Sequence, residues 1–281
     1  MAMASSGLLA GVRVLDLSVW RPGPYATQLL AELGAEVLKV EPPGGDPMRS
    51  YPELFASLHA NKRSIVLDLK ADDDRRRALD LAAEADVLVE GFRPGVAERL
   101  GLGYEAVRAV KASIIYCSLS GMGQDGALAL VPGHDLNYQA WAGALAPDGG
   151  TPVVAAVPIA DLAGGMAAAM GICAAVVRRI TTGEGERLDV AMADVLATWT
   201  GAVRPRAEGT DPSSPGVPGY GVFATADGTY LALGVLTEDH FWRPLCGVLG
   251  LSDCADLGFV ERMARTAELQ KRLADEISRR P

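Results

Sequence analysis

Short runs of β-branched and aliphatic residues alternate with stretches of helical periodicity along the first part of the chain. Turn residues bound each apolar run, as is usual for buried strands. The runs lie at residues 12–17, 36–41, 64–69, 86–90 and 113–119. Because helical patterns separate them, we expect an α/β domain with a mostly parallel sheet.

Helix start and stop signals mark the intervening segments. A helix over 24–33 begins at Pro24 and is followed by Gly34, and a helix over 72–83 has an acidic first turn. A long helix is predicted after Asp161, where alanine and glycine predominate. Such small side chains predict that this helix packs very closely against a neighbour.

The composition changes near residue 204, where proline, glycine and serine become frequent. This change predicts a linker over 204–220, between a large domain of residues 1–203 and a small domain of residues 221–281. The small domain should contain strands followed by helices. The strands are predicted at 221–224 and 229–234, and the helices at 239–249 and 259–279.

Charge and composition disfavour several classes of function. The 281 residues carry a formal net charge of −9, which argues against nucleic acid as a partner. The apolar runs are too short to span a membrane, and residues 1–7 lack the features of a signal peptide. The four cysteines have neither metal-ligand nor disulfide-framework spacing. We therefore expect a cytoplasmic protein that binds neither a membrane nor a metal.

Two segments are candidates for binding phosphate. Residues 121–126 match G-x-G-x-x-G, but Pro132 follows within a few residues where a dinucleotide site needs a helix, so an NAD site is disfavoured. Residues 90–101 begin at the carboxyl end of a predicted strand, and Arg93 and Arg99 bracket a short helix there. Lys62, Arg63 and Lys70 add positive charge nearby in sequence. The alternative is a solvated basic face, paired with Glu90 and Glu98.

One imidazole and one carboxylate are candidates for proton transfer. His134 follows a Pro-Gly turn, and Asp161 follows a proline-containing loop before the long helix. Such a pair can move a proton on and off the carbon next to a carbonyl if the fold brings both to one substrate atom. Each residue also has a structural alternative, since Asp161 could cap the helix and His134 could tie a loop together.

Several motifs occur together in the order typical of one enzyme family. They are Val-Leu-Asp-Leu at 14–17, Pro-Gly-Pro at 22–24, Leu-Gly-Ala-Glu-Val at 33–37, Lys-Val-Glu-Pro-Pro-Gly-Gly-Asp-Pro at 39–47, Asn-Lys-Arg-Ser at 61–64, Leu-Asp-Leu-Lys at 67–70, Arg-Pro-Gly at 93–95 and Ser-Gly-Met-Gly-Gln at 120–124. With these motifs the chain resembles the family III (CaiB/BaiF) CoA-transferases along almost its whole length. Within that family it is most similar to the 2-methylacyl-CoA racemases.

The resemblance implies a Rossmann-like large domain, a smaller α+β domain, an interlocked homodimer and an acyl-CoA substrate. It implies no tightly bound cofactor, since coenzyme A enters as part of the thioester. The residues that match the CoA groove of the family are Arg21, Leu67, Lys70, Phe92, Arg93 and Arg99. Pro42 stands where some members carry a basic residue near the adenine.

The resemblance also implies two roles for Asp161. In the transferases the matching residue is a nucleophile that forms acyl and CoA intermediates, whereas in the racemases it is an acid/base that works opposite a histidine matching His134. His134 favours the racemases, because transferases of the formyl-CoA type usually have tyrosine there and carry a run of glycines that this chain lacks. Glu238 is the candidate for the glutamate that accompanies the histidine, with a one-residue offset from the family spacing, and Asp239 is the alternative.

Racemisation through an enolate leads to two further expectations about the helix after Asp161. Its first N–H groups should stabilise the enolate oxygen, and its dipole should keep Asp161 ionised. Relatives usually continue beyond the position that corresponds to Pro281. The chain could therefore be truncated, one half of a split pair completed by a complementary subunit, or an inactive CoA-binding subunit.

Overall fold

A computed structural model describes residues 7–145, 154–203 and 216–281. These residues form two compact units, the first ending at residue 203 and the second beginning at residue 216. Most of the predicted linker, residues 204–215, lies outside the described residues. The predicted domain boundaries therefore stay a prediction.

The first unit is built on a parallel sheet of six strands in the order β3-β2-β1-β4-β5-β6. The strands are β1 (Arg13–Asp16), β2 (Glu36–Glu41), β3 (Arg63–Val66), β4 (Val87–Glu90), β5 (Ile115–Ser120) and β6 (Glu186–Ala191). Strand β1 pairs with both β2 and β4, and the strand order reverses between β1 and β4. Ligands of open α/β sheets bind outside the carboxyl ends of the strands at such a reversal.

The structure confirms the predicted α/β class and five predicted strands, and it adds one. Strand β3 ends at Val66, so the last part of the predicted segment 64–69 is a connection. Strand β6 was missed because charged residues interrupt its apolar pattern. Among the described strands it pairs with β5 alone, and an edge strand tolerates polar side chains that face water.

Helices cover both faces of this sheet. They are α1 (Pro22–Glu32), α2 (Pro52–His59), α3 (Asp72–Glu84), α4 (Val96–Arg99), α5 (Tyr104–Val110), α6 (Asp135–Trp141), α7 (Ile159–Thr182) and α8 (Met192–Val203). On one face, residues of α1, α7 and α8 form a core with the strand residues Val14 and Val37. On the other, residues of α3 and α5 pack with Leu15 and Val40.

Glycines bring helix α7 into close contact with its neighbours, as its small side chains predicted. A Cβ atom on Gly165 would lie 2.7 Å from the Pro22 carbonyl oxygen at the start of α1. A Cβ atom on Gly164 would lie 2.5 Å from Met192 Cγ. This packing fixes the beginning of α7, and with it Asp161, against the beginning of α1.

The prediction that every apolar run is too short to span a membrane is wrong for helix α7, which is long and apolar enough by length and composition alone. Its most apolar window has a mean hydropathy of 1.7, and half of that window is buried within the protein. Buried residues such as Ala168 and Ile172 belong to the core of the first unit. Such a helix is also found at the centre of many water-soluble domains.

The second unit contains an antiparallel pair of strands, β7 (Tyr220–Ala224) and β8 (Tyr230–Gly234), followed by helices. The helices are α9 (Asp239–Leu249), α10 (Phe259–Ala264) and α11 (Thr266–Ile277). The single helix predicted over 259–279 is thus two helices, because the backbone leaves the helical conformation at Arg265. Trp242 is fully buried at the centre of this unit and donates a 2.8 Å hydrogen bond to the Cys254 carbonyl.

Candidate active site

A cavity of about 520 Å³ lies at the carboxyl edge of the sheet in the first unit. The connections that follow β1, β4 and β5 line it, together with the beginnings of α6 and α7. Four of the residues predicted for catalysis or for the CoA groove lie on its wall, namely Phe92, Arg93, His134 and Asp161. The fold therefore brings the imidazole and the carboxylate to one cavity.

His134 occupies the position just before helix α6. Its backbone N–H donates to Asn137 Oδ1 at 3.0 Å, and the Asn137 N–H donates to the His134 carbonyl at 2.8 Å. These bonds close the first turn of α6 through the backbone of His134. The residue is exposed and lines the cavity, where its ring can meet a ligand.

Asp161 lies within the first turn of α7 and is not its capping residue, which is Pro158. A carboxylate from α6 accepts hydrogen bonds from the first N–H groups of α7. Asp135 Oδ1 accepts hydrogen bonds from the Ala160 and Asp161 N–H groups at 2.8 Å and 3.1 Å. The Leu162 N–H donates to the Pro158 carbonyl. The expectation that these N–H groups stabilise an enolate is therefore wrong for this arrangement, because they already have acceptors.

The pKa of Asp161 is set mainly by its burial and its neighbours. Burial raises its pKa to about 6, the Asp135 charge adds to the effect, and the Arg21 charge opposes it. The carboxyl group therefore ionises at a higher pH than an ordinary aspartate, although the ionised form still predominates at pH 7. A carboxyl group with a pKa near neutrality can both take up and release a proton under physiological conditions.

Sequence reasoning assigned no role to Tyr138, which also lines the cavity. Its hydroxyl donates to the Gly133 carbonyl at 2.7 Å. Burial and the Asp161 charge raise the pKa of Tyr138, whereas Arg93 lowers it. A sequence signal for this residue is its spacing of four from His134, which places the two residues on one face of the helix.

The arginines predicted to bind CoA are available to an anionic ligand. Within the described ranges, no carboxylate lies within 4.0 Å of a side-chain nitrogen of Arg21, Arg93 or Arg99. The alternative of a paired basic face proposes two partners. Glu90 is buried and accepts a hydrogen bond from the Phe92 N–H at 2.8 Å, and Glu98 is exposed and forms no ion pair with a described residue. The structure thus favours free positive charge at this edge of the sheet.

Leu67 and Lys62 differ from what the sequence suggested. The Leu67 side chain is only 1% exposed and belongs to the core, so a CoA contact at this position would have to come from its backbone. The Lys62 side chain is equally buried and lies 3.6 Å from Asp16 Oδ2, so it adds no charge to the surface. Lys70 is exposed in the connection between β3 and α3, where a phosphate could reach it.

The second unit contains the two acidic candidates of the small domain. Glu238 directly precedes α9, and its carboxylate accepts the Leu236 N–H at 2.8 Å, a bond that lowers its pKa. Asp239 forms an ion pair at 2.9 Å with Arg262, whose side chain is fully buried over the Trp242 ring. Asp239 is therefore engaged in the structure of the unit, which favours Glu238 of the two. Its role beside His134 stays a prediction.

The glycine-rich segment 121–126 forms a turn after β5, with Gly123 and Gly126 at positive φ. The next helix, α6, begins only at Asp135, so no helix end faces this turn in the way that a dinucleotide site requires. A search of the described residues finds no group of three histidine, cysteine or acidic side chains that could hold a metal ion.

The doubly wound sheet and its carboxyl-edge cavity define a ligand-binding α/β protein. More particularly, the chain belongs to CoA-transferase family III, whose family model matches residues 9–281. This confirms the family that the sequence motifs predicted.

Two relatives and one solved structure illustrate the similarity. An acetyl-CoA:oxalate CoA-transferase of Acetobacter aceti is 36% identical over 98% of this chain and 76% of the relative. An alpha-methylacyl-CoA racemase of Homo sapiens is 35% identical over 95% of this chain and 71% of the relative. The crystal structure of a CaiB/BaiF family protein from Brucella suis has a TM-score of 0.82 and 28% identity, covering 99% of this chain and 80% of that one. Both activities thus occur among relatives of nearly equal similarity.

Proposed function

We propose that this protein racemises 2-methylacyl-CoA thioesters by exchange of the α-proton. The observation that carries the proposal is the presence of His134 and Asp161 on the wall of one cavity. A racemase needs a base on one face of the α-carbon and an acid on the other, and these residues provide two groups that can exchange those roles.

In the proposed reaction, one group removes the α-proton, and the electron pair of the broken C–H bond moves to form the enolate, with negative charge on the thioester oxygen. The other group then donates its proton to the opposite face, and the C–H bond forms again with inverted configuration. The pKa of about 6 for Asp161 supports its use in both directions. Glu238 would assist His134 from the small domain, as the family pattern implies.

The thioester would be held through its CoA part. Arg21, Arg93 and Arg99, which form no ion pair among the described residues, support phosphate binding. Of these only Arg93 lines the cavity, together with Phe92, and Lys70 is exposed in the connection after β3. Coenzyme A is then part of the substrate, and the proton transfers need only side chains of the protein.

CoA transfer between carboxylic acids is the second candidate, and the similarity to the Acetobacter aceti enzyme favours it. Asp161 would attack the thioester carbonyl and expel the CoA thiolate, which leaves a mixed anhydride. The thiolate would then attack the aspartyl carbonyl, releasing the donor acid and forming an aspartyl-CoA thioester. An acceptor carboxylate would next take the place of the donor in the reverse steps.

We also propose a homodimer. Helix α7 exposes an apolar stripe with Met166, Met170, Val177 and Ile180 between 50% and 77% exposed. A second copy of the chain would cover such a stripe, although a complementary subunit or a role as an inactive CoA-binding subunit are alternatives.

A cytoplasmic location fits the similarity to enzymes named for reactions of CoA thioesters.

One experiment separates these functions. The protein is incubated in D₂O with a single enantiomer of a 2-methylacyl-CoA and without an acceptor acid. Racemisation predicts one deuterium at the α-carbon, detected by mass spectrometry, together with loss of optical purity. Transfer predicts neither change, but CoA moves to an added carboxylate, and hydroxylamine traps Asp161. Binding of CoA without either reaction would contradict both enzymatic proposals.

A further inference from the structure

The connection between β1 and α1 forms one wall of the cavity, and it contains a residue in an unfavourable conformation. Val19, Trp20 and Pro22 line the cavity. Trp20 has a φ of 65°, in the left-handed region that a bulky residue rarely adopts. Such a conformation typically costs about 1–3 kcal/mol and persists only where the surrounding structure holds it.

A buried lysine holds the residue that begins this connection. Lys39 on β2 is 1% exposed, and its Nζ donates a 2.6 Å hydrogen bond to the Ser18 carbonyl. The same Nζ forms a 2.8 Å ion pair with Asp46, which is equally buried. The ammonium group therefore has a fixed position, and so has the peptide that leads towards Trp20.

A second set of bonds holds the connection at both ends. Asp16 Oδ1 accepts the Ser18 N–H at 2.9 Å, and Asp16 Oδ2 accepts the Thr27 hydroxyl at 2.5 Å. Lys62 Nζ donates to the Pro24 carbonyl at 2.7 Å and to the Thr27 hydroxyl at 2.8 Å. The chain is thus anchored just before Trp20 and just after Arg21.

We propose that Lys39, with Asp46 as its counter-ion, is a positioning residue that holds Trp20 at the wall of the cavity and Arg21 within electrostatic range of Asp161. Lys39 has no direct contact with the cavity and acts through the Ser18 carbonyl. Buried ion pairs contribute little to stability compared with apolar replacements, so positioning is a reason to have one here. The proposal does not depend on which reaction the cavity supports.

The consequence for the site follows from the charge of Arg21. Burial and the Asp135 charge raise the pKa of Asp161, whereas the Arg21 charge lowers it. Tyr138 faces the same carboxylate and is itself neutral at physiological pH, since its pKa is raised. If the connection is released, Arg21 moves away on average, and the pKa of Asp161 should rise above its wild-type value.

The test uses the double variant Lys39→Met with Asp46→Asn, which removes both charges and leaves neither one alone in the interior. Hydrogen exchange of the 18–21 amides is measured by mass spectrometry, and the pKa of Asp161 by carboxyl-selective ¹³C NMR titration. We expect exchange to become at least roughly tenfold faster in this segment, since it opens locally without global unfolding. The pKa of Asp161 should rise in the same sample.

The double variant Arg76→Met with Asp73→Asn is the matched control, because it removes one charge of each sign from an exposed ion pair on α3 that makes no contact with the connection. It should leave both readouts at their wild-type values.

If the variant Lys39→Met with Asp46→Asn does not fold, Ser18→Ala removes the hydroxyl bond to Asp16 without changing a charge, and it should accelerate exchange in the same segment. Wild-type exchange and an unchanged pKa of Asp161 in a folded variant would overturn the proposal. Loss of racemase activity plays no part in this test.

Discussion

At the scale of single residues, Asp135 connects the two candidate catalytic groups. It follows His134 in sequence, and its carboxylate binds the first N–H groups of the helix that contains Asp161. It also accepts a 2.5 Å bond from Gln139 within its own helix. One carboxylate therefore fixes the two helix ends together and raises the pKa of the neighbouring Asp161.

Replacing Asp135 by asparagine should lower the pKa of Asp161. The asparagine carbonyl oxygen can keep the bonds from the helix α7 N–H groups, but the negative charge that opposes ionisation of Asp161 is gone. If ionised Asp161 is the base, the rate of α-deuterium exchange falls as the pH drops below the pKa of Asp161, which is about 6. In the variant this fall in rate should occur at a lower pH. Glu98→Gln, an exposed carboxylate on α4, is the control and should leave the profile in place. An unmoved acid limb in folded D135N would contradict this account.

His134→Gln should reduce α-proton exchange by roughly 100-fold or more, because general acid–base catalysis typically contributes that much. Since His134 is exposed, the free energy of unfolding in urea should stay close to that of the wild type. Rates are measured by mass spectrometry in D₂O. A variant that exchanges the α-proton at the wild-type rate would rule out a catalytic imidazole, and the proposed pairing of His134 with Asp161 would be wrong.

At the scale of elements, the contact between α1 and α7 places the site. The two helices meet at Gly165, which has no room for a Cβ atom because the Pro22 carbonyl would be only 2.7 Å away. Gly171 lies farther along the same helix, and a Cβ atom there would meet Leu188 at an ordinary distance of 3.5 Å. The two glycines thus differ in packing although both are in one helix.

Gly165→Ala should therefore destabilise the protein by about 1–3 kcal/mol, the usual range for overpacking. Gly171→Ala should be neutral or stabilising by up to ~1 kcal/mol, because alanine favours the helix and meets no obstacle. Urea unfolding of both variants measures the difference. Equal stabilities would mean that the close approach of α1 and α7 is not required for the fold.

At the scale of the whole molecule, net charge and local charge have opposite signs. The chain carries a formal charge of −9, whereas the edge of the sheet has unpaired arginines in and near the cavity. For the proposed CoA ester, we expect repulsion by the net charge at long range and attraction by these arginines at short range. Added salt should weaken both effects.

Arg93→Gln should weaken CoA binding by roughly tenfold or more, because a hydrogen bond to a charged group contributes about 1.5–3 kcal/mol. The salt dependence of the dissociation constant, measured by titration calorimetry, should become shallower. Arg108→Gln removes the same charge from α5, where Arg108 is paired with Glu105, and should have little effect. Equal losses in the two variants would indicate a general electrostatic effect and not a phosphate contact.

The sequence by itself determined the α/β class, most strands and helices, the family and the identity of the candidate catalytic pair. These features depend on local periodicity and on motifs, and both consist of residues that are close together in sequence. It could not predict β6, whose charges are tolerated only because it lies at an edge.

Only the tertiary structure decided which groups meet and in what environment. It placed His134 and Asp161 on one cavity, committed the first N–H groups of α7 to Asp135, and buried Leu67 and Lys62 away from the surface. The physical reason is that burial and the field of a neighbouring charge act through space. They depend on how distant segments pack, and no local pattern specifies that packing.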